Sequence, residues 1–518
     1  MTQHPPISPP PGTRSQNADS RLLDQVLATA RQAQSRWAAV PPAHRLAVLR
    51  RFRHLLAEHA ADLCATVPRP AAETLTSQII PLADHIRFLE RHAARALQPR
   101  RPSLAGRPLW LLGVNPVIHH EPLGVVLIIA PSNYPLFIPG TQLAQALAAG
   151  NAVALKPSPT GTRAAQSLAS LLHRAGLEPD LIHILPPDPA SASAAIQARP
   201  DKILFTGSST TGRAILESSI PNLIPCTLEL SGADPVFVRA DADLSLVTRA
   251  LRFGLTLNAG ATCIAPRRVF VHRDRHPLLR RLLQDSLASS PAIPIDPTAA
   301  QRLASLVNQA RQSGAEMIWP ESINWHAPLG PIILDIADPS LPVLQADVFA
   351  PLLSLVPVRD DDDALTAAAH SPFALGASVF SADEAAARSL AQRINAGVVT
   401  INDLIVPSAD PRVPFGGRLG SGHGVTRGLE GLLELTRIKV VAARRGRWLP
   451  HLDPAQPGDA AFFAAALEST HGASPWRRLI AGLRSARLAW QRTRTRPSKP
   501  KHLSEQEHPS IPAHEPQH

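Results

Sequence analysis

Between residues 20 and 98 the apolar positions recur with helical spacing. Leu22, Leu23, Val26, Leu27 and Ala30 make one stripe, Leu46, Leu49, Phe52, Leu55 and Leu56 a second, and Pro41 and Pro42 separate them. Pro68 and Pro70 close this region, and residues 80–97 form a third amphipathic stretch that stops before Pro99. Residues 109–120 read as an extended hairpin arm. From Pro122 the rhythm changes to short apolar runs alternating with helical stripes. GVVLIIAP at 124–131 is a strand, 141–149 a helix closed by Gly150, and AVALK at 152–156 a strand. A helix at 160–175, strands at 181–185 and 202–207, a helix at 208–218 and a strand at 226–230 continue the alternation. This spacing predicts a parallel, doubly wound sheet with its ligand site at the carboxyl ends of the strands.

A second α/β region follows, with strands at 236–238, 267–272, 329–334 and 397–402, and helices at 244–257 and 382–394. Residues 274–312 read as mostly helical, 438–444 as an edge strand, and 460–467 and 476–490 as further helices. The proline-rich leader 1–19 and the chain from about 492, rich in Pro, Lys and His, are expected to lack structure.

Composition adds limits. With 518 residues, 44% apolar and 18% charged, the chain can fill two or three cores and is not a disordered polymer. No apolar run nears the roughly eighteen residues of a membrane span, and no apolar stretch follows a basic start, so a cytoplasmic protein without a signal peptide is expected. The three cysteines do not make a disulfide framework; Cys64 and Cys226 fit core positions in a helix and a strand. No Cys/His spacing matches a zinc site, so no metal is expected. The net charge of +11 is mild for this length, but basic residues cluster at 444–447, 477–478 and 492–501. A solvated surface is the ordinary reading of that tail, and a nucleic-acid or acidic-membrane contact the alternative.

The candidate chemistry lies between residues 229 and 263. Glu229 ends a strand and alternates with Leu228 and Leu230, so it points away from the face on which they pack; Cys263 sits in a Gly-Ala-Thr-Cys turn. A thiol can attack a carbonyl carbon, and a carboxylate can activate water against the thioester that results. Separated by loss of a hydride, the two steps turn an aldehyde into an acid. FTGSSTTGR at 205–213 joins a strand to a helix, and its turn glycine and helix N-terminus offer backbone N–H groups to a phosphate. Gly207 and Gly212 have P-loop spacing, but Arg213 and Ala214 stand where a P-loop needs Lys and Ser or Thr.

PSNYP (131–135), KPSP (156–159), FTGSSTTG (205–212), LELSG (228–232), NAGATC (258–263), DVFAP (347–351) and PFGGRLGSGHG (414–424) together resemble the aldehyde dehydrogenase superfamily, in its order and at similar separations, over about residues 20–445. The resemblance implies an α/β fold with a Rossmann-like NAD(P)-binding domain at 20–230, a catalytic domain at 231–430, an oligomerisation arm near 103–121 with its partner strand at 431–450, and a basic extension at 451–518. It makes Cys263 the nucleophile, Glu229 the base that activates water, and the Asn133 amide, beside the Cys263 N–H, the holder of the aldehyde oxygen. It assigns Lys156, Ser158, Gly207, Ser208, Gly212, Leu230, Asp347 and Phe349 to binding NAD or NADP. Lys156 would hold the adenosine ribose, Ser208 lie near the pyrophosphate, and Asp347 and Phe349 hold the nicotinamide ribose and ring. The glycine-rich loop 414–424 would line the site, and a dimer or tetramer acting on a small aldehyde is implied.

Several positions depart from the family pattern. Ser132 replaces a usual Trp and should open the substrate tunnel. Pro159 replaces a common acid, so a 2′-phosphate meets no repulsion there and NADP is admitted beside NAD. Asp347 is one methylene shorter than the usual Glu, and Ser231, Ala233, Ala261 and Ala350 replace Gly, Lys, Gln and Gly. Glu229 argues for water over coenzyme A as acyl acceptor. The competing readings are a coenzyme A-acylating or acyl-phosphate reductase of the same fold, and a non-catalytic binding protein.

Overall fold

The computed structural model describes residues 11–494 apart from 112, 289, 291, 294, 296, 446–448, 450, 451 and 453. The chain divides into two compact units, one running to residue 109 and over 115–443, the other formed by 110–114 and the chain from 444 on.

The first unit contains β1 (Val114–Pro122), β2 (Val125–Ile129), β3 (Ala152–Lys156), β4 (Ile182–Ile184), β5 (Lys202–Thr206) and β6 (Cys226–Glu229). Strands β2 to β6 are parallel and lie in the order β6-β5-β2-β3-β4. The chain thus winds outward from β2 to β4, returns to β5 on the other side of β2, and winds outward again. Every residue of β2, β3 and β5 is buried, as expected of a parallel sheet covered by helices on both faces. The helix Phe137–Ala149 is buried almost all round and ends at Gly150, whose φ of 96° is left-handed.

The second sheet is built from β7 (Asp234–Val238), β8 (Pro266–His272), β9 (Glu316–Trp319), β10 (Ile332–Asp335), β11 (Leu352–Val358), β13 (Gly376–Phe380) and β14 (Val398–Ile401), in the order β14-β13-β7-β8-β11-β10-β9. All its pairings are parallel except that of β9. The short β12 (Phe373–Ala374) pairs with β15 (Arg418–Leu419), and β16 (Gly422–His423) adds an antiparallel edge to the first sheet, opposite Glu229 and Leu228. Strand β17 (Thr436–Arg444) pairs with β1.

Three expectations need correction. Residues 1–10 of the leader lie outside the described residues, but from Pro11 the chain is helical, within Pro11–Ala39. Segment 109–120 is no local hairpin: after a turn at Leu109–Leu111 it becomes one strand whose partner lies more than 300 residues away. No local pattern carries such a pairing. At the other end the helix Pro475–Arg494 passes the expected onset of disorder at 492, and the remaining tail lies outside the described residues. Strands β9, β11 and β13 of the second sheet were not predicted.

Candidate functional site

Strand β2 is flanked by β3 and β5, which the chain reaches by winding in opposite directions. This is the switch point at which a doubly wound sheet leaves a crevice beyond its strands. A cleft of about 300 Å³ opens there. Its walls are Pro131, Ser132 and Asn133 after β2, Thr206 at the end of β5 with Gly207 and Ser208, and Glu229 at the end of β6 with Leu230 and Ser231. Cys263, residues 347–350 and part of the helix Pro297–Gln312 close it. Eight residues named from the sequence therefore meet in one cleft: Asn133, Gly207, Ser208, Glu229, Leu230, Cys263, Asp347 and Phe349.

The turn that carries Cys263 is held in an uncommon backbone. Asn258 and Ala259 both have φ of 54°, in the left-handed region, where each non-glycine residue costs on the order of 1 kcal/mol. Surrounding groups fix this conformation. The Asn258 N–H donates to Glu73 Oε1 (3.0 Å), and its side-chain amide donates to the carbonyls of Asn133 and Ala261 (both 3.1 Å). The buried Arg267 guanidinium donates to Ala350 O at 2.5 Å and also to Gly260 O, tying the cysteine turn to the loop after β10. A Cβ at Gly260 would lie 2.6 Å from the Ala350 carbonyl carbon, so only glycine permits that approach.

Cys263 is half-buried, yet the exclusion of water around it, with Glu229 and Asp234 adding to the effect and Arg427 opposing it, pushes its thiol up to about 12. The resting side chain is therefore a thiol. Glu229 is deeper than a half-exposed strand carboxylate, at 6% exposure. Burial raises its pKa, while Arg427 and hydrogen bonds from Thr426 and Thr206 hold it down. Thr206 Oγ1 donates to Glu229 Oε2 at 3.3 Å, and Thr426 Oγ1 donates to Oε1. The Glu229 charge raises the cost of ionising Cys263, so removal of the thiol proton is easiest when Glu229 receives it. Asn133 Nδ2 donates one hydrogen to Ala261 O (2.9 Å), which leaves its second for the cleft, and its Oδ1 is buried without a partner among the described residues.

The residues named for a dinucleotide lie along the same carboxyl edge. Ser208 caps the helix Ser209–Ser219, its Oγ accepting from Thr211 N at 3.2 Å, so the anion-attracting end of that helix faces the cleft. A Cβ at Gly207 would strike the Phe205 ring at 2.4 Å, and one at Gly212 would meet Leu230 Cδ2 at 2.7 Å. Both glycines therefore keep backbone close to neighbouring groups. Asp347 Oδ1 is buried and unpartnered among the described residues, an acceptor without a donor in the cleft wall. Burial raises the Asp347 pKa against the nearby Ser231 hydroxyl and the opposing charges of Arg267 and Arg302. These features fit a ligand with a phosphate and ribose hydroxyls. Lys156 and Ser158 lie after β3, outside the cleft lining: Lys156 is buried and lowered in pKa by desolvation, and Ser158 Oγ accepts from Gly161 N at 3.1 Å. The loop 414–424 also stays out of the lining. Its Ser421 Oγ donates to Ser231 O at 2.7 Å, so the loop braces the segment after Glu229.

Arg427 escaped the sequence reading. It is buried, stacked 4.2 Å from the Phe415 ring centroid and 5.5 Å from that of Phe137, and its guanidinium donates to Ser408 O at 2.6 Å. Its charge lowers the cost of ionising both Glu229 and Cys263. Its place just after the glycine-rich loop was the only available signal. Thr206 and Thr426, the two donors to Glu229, were equally silent, because threonine at a strand end or turn is ordinary.

Residues 4–441 match the aldehyde dehydrogenase family. The 4,4'-diapolycopene aldehyde oxidase of a Methylomonas species is 30% identical over 449 residues, covering 83% of this chain and 84% of that protein. A Mycobacterium tuberculosis relative named for succinate semialdehyde and NADP(+) is 31% identical over 453 residues, covering 83% of this chain and 86% of its own. Among solved structures, NAD-dependent aldehyde dehydrogenase from Sinorhizobium meliloti aligns with a TM-score of 0.78 at 26% identity, over 84% of this chain and 89% of that one. Mycobacterium tuberculosis aldehyde dehydrogenase complexed with NAD+ aligns with a TM-score of 0.76 at 26% identity, over 83% and 92%. The fold, the switch-point cleft and these relations define an NAD(P)-dependent oxidoreductase. The chain belongs to the aldehyde dehydrogenase family.

Proposed function

We propose that Cys263, Glu229 and Asn133 carry the oxidation of an aldehyde to its carboxylic acid. The observation that supports this most is the shared cleft in which a protonated thiol lies with a carboxylate whose own pKa burial raises and whose charge raises that of the thiol. The aldehyde oxygen accepts from the free hydrogen of the Asn133 amide and from the Cys263 N–H, where negative charge gathers as the carbonyl carbon is attacked. Glu229 takes the thiol proton, and Sγ forms the thiohemiacetal. A dinucleotide held by Ser208, the helix behind it, Leu230, Asp347 and Phe349, with Lys156 and Ser158 further along the edge, supplies the two-electron acceptor. Glu229 releases the thiol proton to solvent, then accepts the proton of a water that attacks the thioester left on Cys263, and the acid departs as the Cys263 sulfur leaves and is reprotonated.

Ser132 is exposed and lines the cleft, which leaves its mouth open to bulky or long-chain aldehydes. No carboxylate stands at Pro159, so both NAD and NADP are accommodated. The outward-facing Ile438, Val440 and Val441 of β17 support assembly into a dimer or tetramer through the β1–β17 ribbon. No helix among the described residues is long and apolar enough to cross a membrane. The deciding experiment follows reduced dinucleotide across short, long and aromatic aldehydes with each cofactor, for the native chain and for Cys263→Ala. Turnover that survives in Cys263→Ala overturns the assignment. Turnover that requires coenzyme A moves the acyl acceptor from water to a thiol.

A further inference from the structure

The second unit carries a surface that the chemistry of the cleft does not use. The helices Asp459–His471 and Pro475–Arg494 pack as a hairpin. Ala465 and Ala481 are buried, and Arg478 Nε donates to Ser469 O at 3.3 Å. The opposite side of the second helix is apolar and open: Trp476, Leu479, Ile480 and Leu483 are exposed by 74%, 56%, 61% and 68%. Their spacing of i, i+3, i+4 and i+7 places them on one stripe. Arg477, Arg484 and Arg487 are exposed along the same helix, which contains no acidic residue. The sequence from Arg477 to Lys501 holds nine basic residues and no acidic one.

We infer that this helix lies on the surface of an anionic lipid bilayer, with the Trp476–Leu483 stripe among the acyl boundary and the arginines at the headgroups. Charge complementarity selects this occupant. A second copy of the helix would bring arginines against arginines with no carboxylate on the helix to pair them. A nucleic acid would satisfy the arginines but leave four large apolar side chains in water. A bilayer of acidic headgroups satisfies both faces at once, and tryptophan and arginine are residues favoured at that depth. The proposal is independent of the reaction in the cleft.

The test is co-sedimentation of the full chain with vesicles of phosphatidylglycerol and phosphatidylcholine, against vesicles of phosphatidylcholine alone. The native chain should pellet with the acidic vesicles and be released by high salt. Two variants, Trp476→Ser with Leu483→Ser, and Arg477→Gln with Arg484→Gln, should each weaken binding about tenfold or more, with dehydrogenase activity on a water-soluble aldehyde and Tm unchanged. Absence of pelleting, or equal pelleting by the apolar variant, overturns the proposal. So does a duplex DNA that binds the chain while acidic vesicles do not, or a dimer in solution that the apolar variant abolishes without any vesicle binding. If both variants lose Tm, a tryptophan emission shift of the native chain on acidic vesicles decides: no shift rejects the inference.

Discussion

The two large sheets of the first unit each end in a crevice, and the larger crevice is not the one that gathers the residues proposed to react. Beyond the carboxyl ends of β7, β8 and β11 lies a cleft of about 470 Å³, against about 300 Å³ at the switch point of the first sheet. The larger cleft is rich in charge, but its charges answer one another. Arg239 meets Asp361 at 3.2 Å, Arg359 meets Asp363 at 3.1 Å, and Arg393 is paired with Asp362. Asp360 caps the helix Asp361–Ala368 through Asp363 N, and its carboxylate, with those of Asp361, Asp362 and Asp363 in the first turn, already supplies negative charge to that helix end, unlike the serine that caps Ser209–Ser219. In the smaller cleft Cys263 and Glu229 are held away from their ordinary ionisation, and Asn133 and Asp347 each keep a buried oxygen without a donor. Reactivity follows from groups left unsatisfied at a cost, and volume alone does not report it.

The comparison breaks most sharply at Cys263. Cys263→Ala should lower the steady-state rate by about a thousandfold or more, measured as reduced dinucleotide, with little change in Tm. Glu229→Gln comes next. Steady turnover should fall by roughly 10²–10⁴-fold, and the single-turnover burst of reduced dinucleotide should slow as well, because Glu229 takes both the thiol proton and the proton of the attacking water. An unchanged steady rate would remove Glu229 from the mechanism.

The pH profile sharpens the contrast. A base works ionised, and burial raises the Glu229 pKa. The acid limb of turnover should therefore lie above the usual carboxylate range, with activity lost as pH falls through that raised value. A limb in the ordinary range for a free carboxylate would contradict this burial. Arg427→Met removes the cation that opposes both shifts, so the pKa values of Glu229 and Cys263 should both rise. The acid limb should move to higher pH, and alkylation of Cys263 near pH 8 should slow about tenfold; Arg427→Lys should restore part of both, and a profile that does not move would make Arg427 a packing residue only. The smallest effect is expected in the larger cleft. Asp361→Asn breaks a partly exposed pair with Arg239 and should cost at most about 1 kcal/mol of unfolding free energy, with kcat and KM unchanged. A large loss of activity there would erase the distinction between the two crevices.

Local pattern was enough for most of the architecture. The apolar runs of β2, β3 and β5, the glycine that closes the helix Phe137–Ala149 and the serine that caps Ser209–Ser219 are written in neighbouring residues, because strand burial and helix termini depend on groups a few positions apart. The motifs around Asn133, Glu229 and Cys263 were legible for the same reason. What stayed hidden was set by partners far along the chain. Strand β1 finds β17 across more than 300 residues, a pairing implied by the family resemblance and by no local pattern, and the glycine-rich loop becomes an edge strand beside Glu229 instead of lining the cleft.

By itself, then, the sequence determined the alternation of strands and helices and the family, and named the groups we propose to react, since each rests on local periodicity or on a short motif. Only the tertiary structure decided how those groups behave. It buries Glu229 between Thr206 and Thr426, aims the charge of Arg427 at both acids, clamps the cysteine turn with Glu73 and Arg267, and leaves an apolar stripe on the C-terminal helix uncovered. Burial, and with it the local dielectric and the ionisation of a buried group, is a property of what packs around a residue, and that set is drawn from the whole chain.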